Sequence, residues 1–317
     1  MKHLFQYWRY LRTVGALYEE GKYQETIDFL KEVATDFPDF KPEIYYTQMA
    51  AAIKLDKYDL FFELLNEILD ADGWYSEAIL RESPAFKPLQ GMSEFERLVS
   101  ISVERAKQAS KDHTNLTVFP EHTNPSMPLM LALHAQASVI NEEYQAWKTV
   151  IDHGYILGMP QTTNRYWSGI ATGYWPDYET SIHQIKAYVD TINLNKTLDL
   201  KRSIAGGLSK GGDLAIRLAL TGTIPVCAFI AVSPGGPWMN EPEKWQSLID
   251  DARRHELHGI IIRGKQDQAI PRKYTQTLTN MLNNSGVPCQ FLEYPQLGHW
   301  YPPNFDNIIA DLITTIE

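Results

Sequence analysis

Apolar residues follow two rhythms along this chain, and the change falls near residue 110. Ahead of it they recur at helical spacing, with almost no alternating or continuous apolar runs, so residues 1–110 read as an all-helical domain. From about Asn115 onward, short continuous apolar runs alternate with amphipathic stretches. That grammar predicts strands buried on both faces and separated by helices. The runs at 116–119, 129–133, 150–157, 203–205, 226–232, 259–262 and 289–294 predict strands; 141–148, 180–191, 211–220, 242–253, 272–284 and 304–316 predict helices. An α/β domain over residues 111–317, with a mainly parallel sheet flanked by helices, is therefore expected behind the helical domain.

The helical half repeats itself once. Glu20-Gly21-Lys22-Tyr23-Gln24 recurs in outline as Leu55-Asp56-Lys57-Tyr58-Asp59, a shift of 55 − 20 = 35 residues. A small-residue stretch precedes each copy, Val14-Gly15-Ala16-Leu17 and Met49-Ala50-Ala51-Ala52. An amphipathic helix follows each, ending at Pro38 and near Asp70, and residues 74–108 can supply a closing helical unit. Helix-turn-helix units at this period resemble the tetratricopeptide repeat. The resemblance implies a surface for a protein partner or for self-association.

Composition narrows the function. With 44% hydrophobic and 21% charged residues the chain is ordinary globular material. A net charge of −10 without clustered Lys and Arg argues against a nucleic-acid partner. No run reaches the roughly eighteen apolar residues of a membrane span, and the opening MKHLFQYWRYLRTVGALYEEG lacks a signal-peptide pattern, so a cytoplasmic protein is expected. Cys227 and Cys289 lie in apolar strand-like runs and are expected as buried thiols, not a disulfide.

The chemistry concentrates at Gly207-Leu208-Ser209-Lys210-Gly211. A predicted strand shrinking to small residues enters this stretch, and a helix with Leu214 and Leu218 one turn apart leaves it. A serine on so sharp a strand-to-helix turn needs glycine on both sides, and the helix N-terminus favours negative charge there. The five-residue pattern alone is weak evidence, since a loop glycine that only relieves a turn gives the same letters. A nucleophilic serine further needs a base and an acid, placed after later strands in the order Ser, Asp, His. Asp267 follows the strand at 259–262 in Gly264-Lys265-Gln266-Asp267-Gln268-Ala269-Ile270-Pro271, and His299 follows the last strand in Leu297-Gly298-His299-Trp300. Of the nine histidines, His299 is the only one beyond Asp267. Each has a plain structural alternative, a turn aspartate and a surface-loop histidine; the joint order and strand-end placement favours a triad.

Taken together, GLSKG at 207–211, GKQDQAIP at 264–271 and LGHW at 297–300 resemble the α/β-hydrolase fold, close to its carboxylesterase and dienelactone-hydrolase branches. The resemblance implies a serine hydrolase that cleaves a small carboxylic ester or thioester through an acyl-Ser209 intermediate, with neither cofactor nor metal. It also implies an oxyanion hole of two backbone N–H groups. One belongs to Lys210; the other comes from Leu133-His134-Ala135-Gln136, where Ala135 replaces the usual glycine and leaves Ala135 and Gln136 as alternatives. His134 itself is expected to be structural. A prolyl-oligopeptidase-like peptidase uses the same triad but normally carries a β-propeller, which this chain does not predict; a silent interaction module is the remaining alternative.

Substrate signals are thinner. Only about 26 residues separate the strand at 226–232 from that at 259–262, too few for a separate lid over Ser209 beside the helix they hold. Trp167, Trp238, Trp300 and Tyr301 fall after strands or beside triad positions and are candidate pocket aromatics, with ordinary packing as the alternative. The long aromatic, glycine-bearing loop at 160–177 has the composition of a ligand-contacting loop.

Overall fold

The structure is a computed structural model that describes residues 2–109, 114–122, 124–138, 140–169, 173–252 and 257–316. The chain divides into two units, Met1–Lys111 with Arg165–Thr172, and Asp112–Asn164 with Gly173–Glu317.

Among the described residues the first unit holds the α-helices α1 (Lys2–Glu19), α2 (Tyr23–Asp36), α3 (Lys41–Lys54), α4 (Tyr58–Asp70), α5 (Glu77–Glu82) and α6 (Ser93–Gln108). The sequence repeat is a repeated turn. Gly21 and Asp56 both take left-handed backbone (φ 73° and 55°). The amides of Lys22 and Lys57 then reach back to Leu17 and Ala52 carbonyls at 2.9 Å each, and Tyr23 and Tyr58 open α2 and α4. Consecutive helices pack on one another, α1 on α2, α2 on α3 and α3 on α4. Their apolar faces meet in one core that includes Tyr7, Leu30, Met49, Phe61, Leu65 and Phe95.

The unit is not continuous in sequence. Residues 166–168 run antiparallel to 74–76, with the Ser76 amide donating to Tyr166 O (2.7 Å) and the Ser168 amide to Trp74 O (2.9 Å). Trp167 is consequently a core residue of the helical unit, stacked on Tyr46 and edge-on to Tyr75. Part of the loop at 160–177 (residues 170–172) lies outside the described residues, as does residue 253 at the end of the helix expected over 242–253.

In the second unit a seven-stranded sheet has the order β1-β4-β3-β6-β7-β8-β9. Its strands are β1 (Leu116–Val118), β3 (Leu129–Leu133), β4 (Ile156–Met159), β6 (Ile204–Leu208), β7 (Ala228–Val232), β8 (His258–Gly264) and β9 (Cys289–Tyr294). All neighbours are parallel except β1 with β4. Two short strands, β2 (Ser126–Met127) and β5 (Thr197–Leu198), pair separately. Between the strands lie α7 (Ile140–Trp147), α8 (Tyr178–Asn195), α9 (Lys210–Thr221), α10 (Pro242–Ala252) and α11 (Arg272–Asn284), and α12 (Phe305–Ile316) follows β9. The central strands β3, β6 and β7 are buried throughout, which is why they read as unbroken apolar or small-residue runs.

One expected strand moves. Residues 148–153 form a 3-10 helix that ends on Gly154 in left-handed backbone (φ 80°), and β4 begins only at Ile156. Among the described residues no helix is long and apolar enough to cross a membrane. Cys227 and Cys289 are free thiols, and burial pushes both up, to about 11 and about 12.

Candidate active site

Three backbones converge at the serine turn. Gly207 on β6 lies opposite Leu133, the last residue of β3. A Cβ on Gly207 would stand 2.6 Å from the Leu133 carbonyl oxygen, and one on Gly211 only 2.0 Å from it. Glycine on both sides is what lets β6 and the start of α9 press against the end of β3. Between them Ser209 adopts φ 54°, ψ −118°, a conformation that costs a non-glycine residue about 1–3 kcal/mol. Surrounding hydrogen bonds hold it: its amide donates to Val232 O (2.9 Å), and its carbonyl accepts from Asp213 N (3.0 Å) and Gly235 N (3.1 Å). Ser209 stays partly exposed at the N-terminal end of α9.

The side chain of Lys210 turns away from chemistry. Its Nζ lies 3.6 Å from Asp213 Oδ2, and Arg217 Nε lies 3.2 Å from the same oxygen. Asp213 and Arg217 are buried, and the Arg217 guanidinium sits 3.7 Å from the centre of the Trp238 ring. Burial pushes the Lys210 ammonium down and the Asp213 carboxyl up, each against the pull of these ion pairs. The Lys210 charge is therefore committed to its own helix.

Asp267 and His299 are joined directly. Asp267 Oδ1 accepts from the amides of Ala269 (2.9 Å) and Ile270 (3.1 Å), and Oδ2 accepts from His299 Nδ1–H at 2.9 Å. An ionised carboxylate has no proton to donate, so the bond fixes the proton on Nδ1 and leaves Nε2 with its lone pair. Burial pushes the Asp267 carboxyl up, but the His299 hydrogen bond and charge, with Ser233 and the Ile270 amide, outweigh it and hold Asp267 below its usual range. Gly264 explains how the two loops meet: a Cβ there would lie 2.0 Å from the Leu297 carbonyl oxygen. The Gln266 amide closes the approach on that same oxygen at 2.9 Å. Arg263, which no sequence motif marks, is buried behind the acid turn and donates to the carbonyls of Asp267 (2.9 Å) and Ile270 (3.2 Å).

The loop after β3 holds its two candidate residues in different ways. The Ala135 amide donates to Glu143 Oε1 at 2.7 Å. Gln136 is held through its side chain, which accepts from Trp175 N (2.8 Å) and donates to Trp175 O (3.1 Å). His134 is fully buried, stacked on Trp175, and accepts at Nε2 from the Thr162 amide (3.3 Å), so its proton sits on Nδ1 and is donated to Ala135 O (2.7 Å). It is a structural residue.

The pocket aromatics separate in the same way. Trp167 belongs to the helical core, and Tyr301, 6% exposed, donates to Glu143 Oε2 (2.6 Å) and accepts from Trp147 Nε1 (2.9 Å). Packing accounts for both. Trp300 and Trp238 remain partly exposed, Trp300 next to His299 and Trp238 over Arg217. Glu143 escaped the sequence reading. Its one signal was an acidic residue on the apolar face of α7, four positions before the buried Trp147 and three after Ile140.

His134 and Glu143 titrate in opposite senses. Burial pushes His134 down from 6.5 to about 4, only partly offset by its bond to Ala135. Burial pushes Glu143 up from 4.5 to about 7, against the bonds from Tyr301, Ala135 and Ser138 and its proximity to His299. A histidine with a lowered folded value contributes fully above pH 6.5 and loses that contribution as pH falls toward 4. A glutamate with a raised value contributes fully below pH 4.5 and loses it as pH rises through 7. Removing Glu143 leaves the histidine uncompensated. Between pH 6.5 and pH 4.5, Glu143→Gln is therefore expected to lose more melting temperature than the parent; equal pH slopes in a calorimetric series refute the assignment.

Residues 6–110 match the family model described as the A/B hydrolase-like N-terminal domain, and residues 176–316 match Phospholipase/Carboxylesterase. No curated protein matches the chain. Among solved structures, an uncharacterized protein from Bacillus cereus ATCC 10987 is 23% identical, with 98% of each chain covered and a TM-score of 0.56. Esterase PE8 is 17% identical over 64% of this chain and 99% of its own (TM-score 0.52). Est1E from Butyrivibrio proteoclasticus is 14% identical over 64% and 92% (TM-score 0.50). At these identities the likeness is one of fold. The chain is an α/β-hydrolase-fold protein in which an A/B hydrolase-like N-terminal domain precedes a domain of the Phospholipase/Carboxylesterase type.

Proposed function

We propose that this protein is a serine hydrolase that cleaves a small carboxylic ester or thioester. The observation that carries the reading is the Asp267–His299 hydrogen bond (2.9 Å), formed after strands of the same sheet whose central strand ends in the strained Ser209 turn. His299 Nε2 takes the proton from Ser209 Oγ as the oxygen attacks the acyl carbonyl, then delivers it to the leaving alkoxide or thiolate. Asp267 holds the ring in the required tautomer and stabilises the imidazolium. The developing oxyanion is received by the Lys210 amide at the start of α9 and by the Gln136 amide, each such donor being worth roughly 3 kcal/mol in the transition state. Water then repeats the sequence on acyl-Ser209.

The test is covalent. After treatment with a fluorophosphonate, peptide mapping is expected to find the adduct on Ser209, and p-nitrophenyl esters are expected to turn over faster than peptide anilides. An adduct on another residue, or none, refutes the nucleophile. Anilides turning over faster instead identify a peptidase with the same machinery.

A further inference from the structure

One buried carboxylate connects two loops of the candidate site that are far apart in sequence. Glu143 Oε1 accepts from the Ala135 amide (2.7 Å) and from Ser138 Oγ (2.8 Å), both on the loop after β3. Its Oε2 accepts from the Tyr301 hydroxyl (2.6 Å), two residues beyond His299. Trp147 Nε1, one turn along α7, donates to the same hydroxyl at 2.9 Å, so the Tyr301 proton is directed at Glu143. Glu143 is fully buried, as is Tyr301 nearly so. The loop after β3 is independently fixed on its other side: Ala137 N donates to Gly173 O (3.0 Å) and Gly173 N to Ser138 O (3.2 Å).

We propose that Glu143 is a positioning residue that sets the oxyanion loop and the His299 loop relative to each other through one carboxylate. The inference rests on the Ser209–Asp267–His299 reading above. Burying a carboxyl group is unfavourable unless its oxygens are satisfied, and here three donors converge on it from both loops. A nonpolar or amide residue at 143 would fill the same space without binding both sides. Burial pushes Glu143 up to about 7, so the groups facing it matter: His299 and Tyr301 from the loop after β9, with Ala135 and Ser138 from the loop after β3. The Ala135 amide and the Ser138 hydroxyl both donate to Oε1 and the Tyr301 hydroxyl donates to Oε2, so each oxygen of the carboxyl faces one loop.

Glu143→Gln separates the two halves of the clamp. The amide oxygen still accepts from Ala135 and Ser138, but the –NH2 group faces the Tyr301 hydroxyl where an acceptor stood. Tyr301→Phe breaks the same link from the other side. In the full chain, each variant is expected to lower kcat for a p-nitrophenyl ester by about 10- to 100-fold with KM within about twofold, the scale of a displaced catalytic group. The double variant is expected to be no slower than the worse single one, because both remove one link. A merely structural role predicts lowered melting temperature with wild-type kcat for the protein that remains folded. Wild-type kcat in both folded variants, or multiplicative effects in the double, overturns the clamp. Should Glu143→Gln not fold, Tyr301→Phe and Ser138→Ala decide by the same kcat criterion. If the wild-type chain turns over no ester and takes no fluorophosphonate on Ser209, the functional reading fails first; an active wild type with unaffected clamp variants removes only this inference.

Discussion

Ser209→Ala is expected to lower kcat for ester hydrolysis by about 10^4- to 10^6-fold while leaving KM and melting temperature near those of the parent. Alanine removes one oxygen from a partly exposed position and inherits the same backbone. The φ of 54° is held by the bonds to Val232, Asp213 and Gly235, all of them backbone bonds that the substitution keeps. Binding is therefore preserved, and only the step that needs the hydroxyl is lost. His299→Ala is expected to cost a similar factor, and the double variant no more than either single one, because a base without a nucleophile has nothing to deprotonate. Steady-state kinetics of the three variants on one p-nitrophenyl ester makes the check. A Ser209→Ala enzyme within tenfold of wild type, or strictly multiplicative losses, would remove Ser209 from the proposed role.

What the sequence made legible were positions governed by local chemistry. Gly207 and Gly211 flank Ser209 because a Cβ at either site collides with backbone, and such a demand is visible as letters. Asp267 and His299 could be ranked by chain order because the sheet is parallel and each loop after a strand opens at the same edge. Readings that depended on distant partners were not visible. The apolar run 150–157 suits a buried helix turn as well as a strand, and Gly154 in left-handed backbone decides where one ends and the other begins. Two-residue strands such as β2 and β5 have no periodicity to detect. Trp167 follows a predicted strand in the chain yet packs on Tyr46 and Tyr75, which lie about 90 to 120 residues earlier. Ala135 was a candidate donor by sequence, and only the position of Glu143 eight residues later shows its amide to be taken.

Gly211→Ala is expected to destabilise the hydrolase unit by about 4 kcal/mol or more, enough to leave little soluble protein. The added carbon would stand 2.0 Å from Leu133 O, 2.6 Å from Leu133 C and 2.7 Å from His134 O. All three are backbone atoms of a strand end paired to β6, so no side-chain rotation relieves the contact. Relief requires α9 to move away from β3. That movement would also separate the Lys210 amide from the loop that begins at His134, so any folded fraction should keep substrate affinity yet lose kcat. Gly298→Ala is the matched control: it neighbours His299, but its Cβ would meet nothing within 4 Å, and it should stay within about 0.5 kcal/mol of wild type. Urea denaturation of both variants distinguishes crowding from a general intolerance of substitution near the site. Wild-type stability and kcat in Gly211→Ala would mean that the close approach of α9 to β3 is not what shapes the serine turn.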